Sequence, residues 1–541
     1  MKPKSLWATS ARRPYQSAIP WFILAAFTIL WFGFFALTSP QPGGPDVFVF
    51  RDAGCNWAHG GGLVAASVPH ANTVRPMLFA SYTPGAPLLF GAAASLFGCS
   101  GAVDTFYNLT LATVAVFLLY ACFSLAVTSG WQRLCAALLL GALLPTGMVA
   151  FDPDRPEMPA FCLLVVILLL WRRSSSIAAR SLLFAGSGFV FLIHPFAGIA
   201  GWMLLTFLLV FDARAAQAHS QAHSWTRRLQ VLIAGSALYA LIVAVWVLSM
   251  WSQDHTAPHR FLQHAAGQGT GAGVVLHGAK AGNANAATGV QNGYTVAFRH
   301  LFDPAFPASA ALAISLLASG LIVAGFAFFG PDKARRPGLV LQCGWLLLVL
   351  LVFPLAVFPN QTNYLGLSHA LLLAVLFMGG FPLASVLRGS LTPLVLILIA
   401  FVFMAPWVGL GVLQTVDARS SYFAERAQAQ RVRAFFQQRG IANPALLVDA
   451  GHYFVYKPFF PNLYNRLYLE PGETTDPYQG LVLCYSGSRA FSRGQLPWDD
   501  ALEASQWSLI DGGEDAVRVA LAGHPLMRRN WTWMCDVYAR R

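Results

Sequence analysis

Apolar runs long enough to cross a membrane recur along the chain as far as residue 414, and this recurrence fixes the fold class before any motif is read. The first runs from about Ile19 to Thr38. Others lie near 105–128, 134–151, 158–171, 180–194, 196–213, 228–251, 306–329, 338–357, 365–386 and 392–414. A hydrocarbon core of ~30 Å needs ~20 residues of helix. Two of the runs, 158–171 and 180–194, are shorter than that. Only 11% of residues are charged and 56% are hydrophobic, a balance that excludes the soluble globular classes. No small-x-small cleavage site follows the first run, so it reads as a retained helix rather than a signal peptide. The expected fold is an α-helical polytopic membrane protein of about eleven transmembrane helices, followed by a small C-terminal α/β domain outside the membrane.

Basic residues orient these helices. Fifteen Lys and Arg share one side of the expected topology: Lys2, Lys4, Arg12, Arg13, Arg133, Arg172, Arg173, Arg180, Arg214, Arg227, Arg228, Lys333, Arg335, Arg336 and Arg388. Six lie opposite: Arg51, Arg75, Arg155, Arg260, Lys280 and Arg299. The imbalance puts the N-terminus in the cytoplasm, and an odd helix count puts the C-terminal domain outside. It also accounts for most of the formal charge of +12. No nucleic-acid motif accompanies that charge. The apolar segment 79–98 breaks this parity if it spans, so it is expected along the outer interface or as a re-entrant segment. The stretch 39–104 then forms one outer loop with juxtamembrane helices, and 252–305 forms a second, mobile one.

Residues 1–414 thus make the membrane module and 415–541 a soluble unit. Asp417–Arg439 has helical spacing and stops at Gly440. Leu446–Ala450, Gly480–Tyr485 and Trp531–Tyr538 read as strands, and Glu514–Leu521 as a helix. The second loop holds Gly267-Gln-Gly-Thr-Gly-Ala-Gly, whose spacing only superficially resembles a phosphate loop because no strand precedes it. Cys55 and Cys99 share the first outer loop, and Cys484 and Cys535 share the tail. Each pair is either a disulfide, if the outside is oxidising, or two free thiols. No Cys/His spacing suggests a metal site, and no cofactor is indicated.

Candidate chemistry gathers in the outer loops. Asp46 follows the first helix closely, beside Val47-Phe-Val-Phe50, and suits a general base at the membrane surface. It equally suits the N-cap of a short juxtamembrane helix. Asp52, six residues on, is the alternative base. Tyr82-Thr-Pro84 opens the apolar segment. The turn Asp152-Pro-Asp154-Arg155-Pro-Glu157 places three carboxylates and an Arg at a helix mouth, where Arg155 would grip a phosphate. It otherwise reads as a solvated turn. His194-Pro195 joins two apolar helices and is either a phosphate or sugar contact or a plain junction. Arg260 adds positive charge in the second outer loop, and Asn363 lies in a polar turn that would suit a sugar.

The order Asp46-Val-Phe-Val-Phe, Ala53-Gly…Gly60-Gly-Gly-Leu, Tyr82-Thr-Pro84…Pro87-Leu-Leu resembles the GT-C superfamily of membrane glycosyltransferases. Within it, residues 46–120 look most like the polyprenol-phosphate-mannose-dependent transferases. Thr83 interrupts that family's Tyr-Pro-Pro, and Asp154-Arg-Pro-Glu157 is closer to the protein-mannosyltransferase-like and lipid A-sugar-transferase-like branches. The resemblance implies an inverting transfer from a polyprenyl-phosphate sugar to a hydroxyl of a lipid or glycan acceptor. Asp46 would be the base, Arg155 would steady the leaving phosphate with His194 or Arg260, and no metal is required. A flippase of lipid-linked glycans, or a surface-polysaccharide polymerase or ligase, remains as an alternative.

Overall fold

A computed structural model of the 541-residue chain describes residues 15–38, 45–65, 77–78, 83–127, 129–144, 156–210, 221–259, 261, scattered positions between 318 and 375, 391–448, 452–465, 478–486, 507–511 and 533–541. Ten helices carry the described architecture: α1 (Tyr15–Thr38), α2 (Pro45–Ala58), α3 (Gly85–Phe97), α4 (Gly101–Ala126), α5 (Gly130–Ala142), α6 (Glu157–Arg173), α7 (Ile177–Ile193), α8 (Pro195–Val210), α9 (Gln221–Gln253) and α10 (Thr392–Gln438).

Among the described residues, α1, α4 and α9 contain windows long and apolar enough to span a membrane. Their outward faces are apolar, with Phe22, Ile29, Leu30, Leu241 and Leu248 all exposed. That much exposed hydrocarbon needs lipid rather than water around it, so this is a membrane protein. Helices α3, α7 and α8 are apolar but shorter. The expected runs at 306–329, 338–357 and 365–386 fall largely outside the described residues.

Local sequence sets the helix ends. Ser100 and Ser176 cap α4 and α7, their side chains accepting from Val103 N at 3.3 Å and Ala179 N at 3.1 Å. These bonds satisfy donors that a helix start leaves open. Segment 79–98 yields the 13-residue α3, too short to cross a bilayer. It buries Ala86, Pro87, Phe90, Gly91 and Ala94 and leaves Leu96 and Phe97 exposed. Small residues bring helices together. A Cβ on Gly235 of α9 would meet the Phe184 ring of α7 at 2.7 Å, and one on Gly201 of α8 would meet Leu164 of α6 at 2.9 Å. The core of the module runs from Leu24 and Phe35 through Phe123, Phe161 and Leu204 to Leu396 and Ala400.

The last apolar run and the expected helix at 417–439 are one continuous helix, α10, of 47 residues, about 70 Å long at 1.5 Å per residue. No Gly or Pro stands between 412 and 439 to break it, so the helix carries directly from the membrane module into the tail. It ends where the sequence predicts, with Gly440 at φ +75°, the left-handed geometry that a glycine adopts without cost.

Two short strands after α2, β1 (Val64–Ala65) and β2 (Met77–Leu78), pair antiparallel; beyond α10, β3 (Leu446–Val448), α11 (Tyr453–Tyr456), β4 (Leu463–Asn465), β5 (Gly480–Ser486), β6 (Trp507–Asp511) and β7 (Trp533–Arg540) follow. The strands form a five-stranded sheet in the order β4-β3-β5-β7-β6. Strand β3 pairs in parallel with β4 and β5, while β7 pairs antiparallel with β5 and β6. The expected helix at 514–521 lies outside the described residues. Phe50 and Ala53 of α2 and Ala86 of α3 share a core with Val432 and Phe436 of α10, Leu446, and Tyr453 and Tyr456 of α11. Helices α2 and α3 and the tail therefore pack together.

Candidate functional site

Asp46 is the second residue of α2, behind Pro45. Proline suits the first helical position because its missing N–H has no partner to lose there. A first-turn carboxylate also sits at the positive end of the helix dipole. Asp46 is described through its backbone, and its position follows from how α2 is held.

Four contacts fix that helix. Arg51 forms a two-pronged ion pair with Asp104 in the first turn of α4, with Nε donating to Oδ1 at 2.6 Å and a second guanidinium nitrogen against Oδ2. Both residues are buried. Cys55 is disulfide-bonded to Cys99, just past α3, with Cα atoms 5.9 Å apart. Gly54 and Gly91 let α2 and α3 touch backbone to backbone: a Cβ on Gly54 would lie 2.5 Å from Pro87 O, and one on Gly91 would lie 2.7 Å from Gly54 O. Asp52, 5% exposed, faces the tail, where its charge acts on Tyr453 and Lys457 of the α11 region. Burial, then Asp52, then Tyr464 push the Tyr453 phenol well above its usual range. Burial pulls the Lys457 ammonium below its usual range, and Asp52 partly offsets the shift.

Gly54 of α2 meets both Pro87 and Gly91, and Trp57 also meets Gly91. The Thr83–Pro84 turn opens α3 at Gly85. Thr83 Oγ1 in that turn donates to Ile193 O at 3.2 Å. A Cβ on Gly85 would lie 2.6 Å from Leu192 O, so only glycine fits where the turn meets the end of α7.

The next residue is His194. Its Nδ1 accepts from Ala197 N at 3.2 Å, which makes it the cap of α8 ahead of Pro195. An accepting Nδ1 leaves the proton of a neutral ring on Nε2, and Nε2 lies 3.8 Å from Glu157 Oε1. Glu157 opens α6 and is fully buried, while His194 is 3% exposed. The Thr83–Gly85 turn, the His194 junction and Glu157, separate in sequence, thus meet at one end of the α3, α6, α7 and α8 helices. Tyr82 itself, Asp154, Arg155, Arg260 and Asn363 lie outside the described residues.

Sequence reasoning missed three parts of this arrangement. Arg51 counted only as a loop charge, because nothing in the sequence pairs it with Asp104, 53 positions away. Tyr453 and Lys457 gave no signal, since their role depends on tail packing. The Gly54–Gly91 contact joins glycines 37 positions apart (91 − 54), and nothing in either neighbourhood pairs them.

Deeper in the tail, a polar chain ties α10 to the sheet. His452 Nδ1 lies 2.8 Å from Glu425 Oε2. The Tyr456 hydroxyl donates to Gln428 Oε1 at 2.9 Å. Gln428 Nε2 donates to Asp511 Oδ1 at 3.2 Å, and Arg431 Nε to Asp511 Oδ2 at 2.7 Å. Burial, with Glu425 and Asp511 nearby, pushes Tyr456 well above its usual range.

No protein-family model matches the chain, and no curated protein matches it. Solved structures do. ArnT from Cupriavidus metallidurans, in its crystal structure bound to undecaprenyl phosphate, superposes with a TM-score of 0.50 at 14% identity, covering 96% of this chain and 98% of that one. The apo oligosaccharyltransferase of Archaeoglobus fulgidus gives 0.45 at 12% identity, covering 87% and 70%. Apo ArnT gives 0.43 at 17% identity, covering 96% and 98%. The first of these likenesses runs nearly end to end in both chains and shows a shared fold.

Proposed function

We propose that this chain, which shares its fold with ArnT, is an integral-membrane glycosyltransferase of the GT-C superfamily that moves a sugar from a polyprenyl-phosphate donor to a hydroxyl on the outer face of the membrane. The observation that carries this reading is the anchoring of α2. A buried ion pair, a disulfide, a glycine contact and the tail together hold the helix whose N-terminus bears Asp46. Such rigidity serves a base that must meet an acceptor oxygen within hydrogen-bond reach. The ArnT structure was solved with undecaprenyl phosphate bound, which favours a lipid phosphate as the donor's carrier.

In this mechanism Asp46 takes the acceptor's proton as the hydroxyl oxygen attacks the anomeric carbon. The bond from that carbon to the phosphate oxygen breaks on the opposite face, so configuration inverts and polyprenyl phosphate leaves. Arg155 and Arg260 are the cations assigned to the departing phosphate, and Tyr82 and Asn363 are assigned to sugar contacts. Glu157 and His194 are enclosed against each other and hold the end of α7, on which the Thr83–Gly85 turn rests. Asp52, buried and acting electrostatically on Tyr453 and Lys457, is assigned to anchoring the tail. The N-terminus lies in the cytoplasm, the tail domain outside, and no step is assigned to a metal or cofactor.

A donor assay separates this reading from a flippase. The full chain is reconstituted in vesicles with a radiolabelled polyprenyl-phosphate sugar and an extract of cell-envelope lipids and glycans as acceptor. Transfer predicts release of free polyprenyl phosphate and movement of label into the acceptor fraction. Label that crosses the bilayer still attached to its lipid would overturn it.

A further inference from the structure

We propose that Cys484 and Cys535 form a disulfide that locks the two central strands of the tail sheet. The two cysteines hold facing positions in the antiparallel ladder of β5 and β7, inside an unbroken register from Gly480↔Ala539 to Ser486↔Trp533. Directly opposed Cα atoms in such a ladder lie about 4.5–5.5 Å apart, within the span of about 4.4–6.8 Å that disulfides bridge. Opposed residues also share a sheet face. These two positions lie two along from the pair Val482↔Val537, whose side chains are fully buried. Residues two apart in a strand point the same way, so both positions belong to the face that carries the tail core. Register on that face is pinned, because a one-residue slip would turn the buried valines outward.

The compartment supports the bond. Cys55 and Cys99 are already bridged in the first outer loop, and Phe50 and Ala53 of that loop share a core with the tail. The two cysteine pairs therefore face the same side, and that side sustains a disulfide. Cys122, Cys135 and Cys162, in α4, α5 and α6, are free thiols. Bond formation removes two electrons and two protons from the pair. One thiolate attacks the disulfide of an oxidised thiol–disulfide carrier, and the second displaces the carrier's thiolate from the mixed disulfide. The carrier leaves reduced by the two electrons. The inference stands apart from the reaction proposed above, since it concerns the tail and the side of the membrane that it occupies.

The test is thiol mapping of the full chain taken from its membrane. Free thiols are alkylated in denaturant without reductant, and the digest is read by mass spectrometry before and after reduction. The expected result is a Cys484–Cys535 linked peptide, lighter by two hydrogens than its halves and alkylated only after reduction, with Cys122 and Cys162 alkylated from the start. In Cys484→Ser, Cys535 becomes alkylatable without reductant. Alkylation of both tail cysteines before reduction would overturn the proposal, as would linkage of either to Cys55 or Cys99.

Discussion

At the scale of single residues, the fate of α2 depends on groups whose partners are distant in sequence. Arg51 and Asp104 lie 53 positions apart and are both buried. Removing one member leaves the other as an uncompensated charge, at a cost of about 3–5 kcal/mol. Arg51→Ala should therefore lower the unfolding temperature of the solubilised chain sharply. Arg51→Ala with Asp104→Ala should recover part of the loss, because the orphaned carboxylate is gone. At Gly54 the neighbour is the Pro87 carbonyl, a backbone atom that cannot swing aside. Gly54→Ala should cost about 1–3 kcal/mol through forced separation of α2 and α3, measured by the same unfolding experiment. Neither effect was legible in the sequence. The helix start at Pro45–Asp46 and the proline turn ahead of α3 could be picked out because such features leave local marks. An ion pair or a glycine contact between distant segments leaves none until the chain is folded.

At the scale of elements, the tail makes a pH prediction. Tyr453 and Tyr456 are both pushed above the ordinary phenol range, chiefly by burial. The folded state thus holds their protons more tightly than the unfolded state does. The stability this provides is complete below the unfolded value of about 10 and declines as pH rises beyond it. Chemical unfolding of the tail should lose stability from about pH 10 upward, and Tyr453→Phe with Tyr456→Phe should flatten that decline. An unchanged slope in the double variant would contradict it. The elements themselves were unevenly readable. The sequence predicts the stop at Gly440 and strands near 446, 480 and 533, because apolar β-formers run together there. Strands β4 and β6, three and five residues long, offer too few residues for a period to emerge. The continuity of α10 was hidden by the change from apolar to polar composition near 414, which alters what surrounds a helix without ending it.

At the scale of the whole molecule, α2, α3 and the tail share one core, and the Thr83–Gly85 turn that opens α3 rests on the end of α7 beside the Glu157–His194 pair. Membrane class was legible from hydropathy alone, because apolar runs of spanning length have few other uses. The joining of loop and tail was not, since the core they share mixes residues from 50 to 539. On the reading proposed above, Asp52 anchors the tail and Asp46 is the base. The deciding measurement is the initial rate of sugar transfer by Asp46→Asn and Asp52→Asn beside the unaltered chain, with unfolding temperature recorded for each. Asp46→Asn should lose about 10²–10⁴-fold in rate with its unfolding temperature unchanged, whereas Asp52→Asn should unfold earlier and keep its rate at low temperature. Full transfer by Asp46→Asn, or abolished transfer in a well-folded Asp52→Asn, would contradict the assignment.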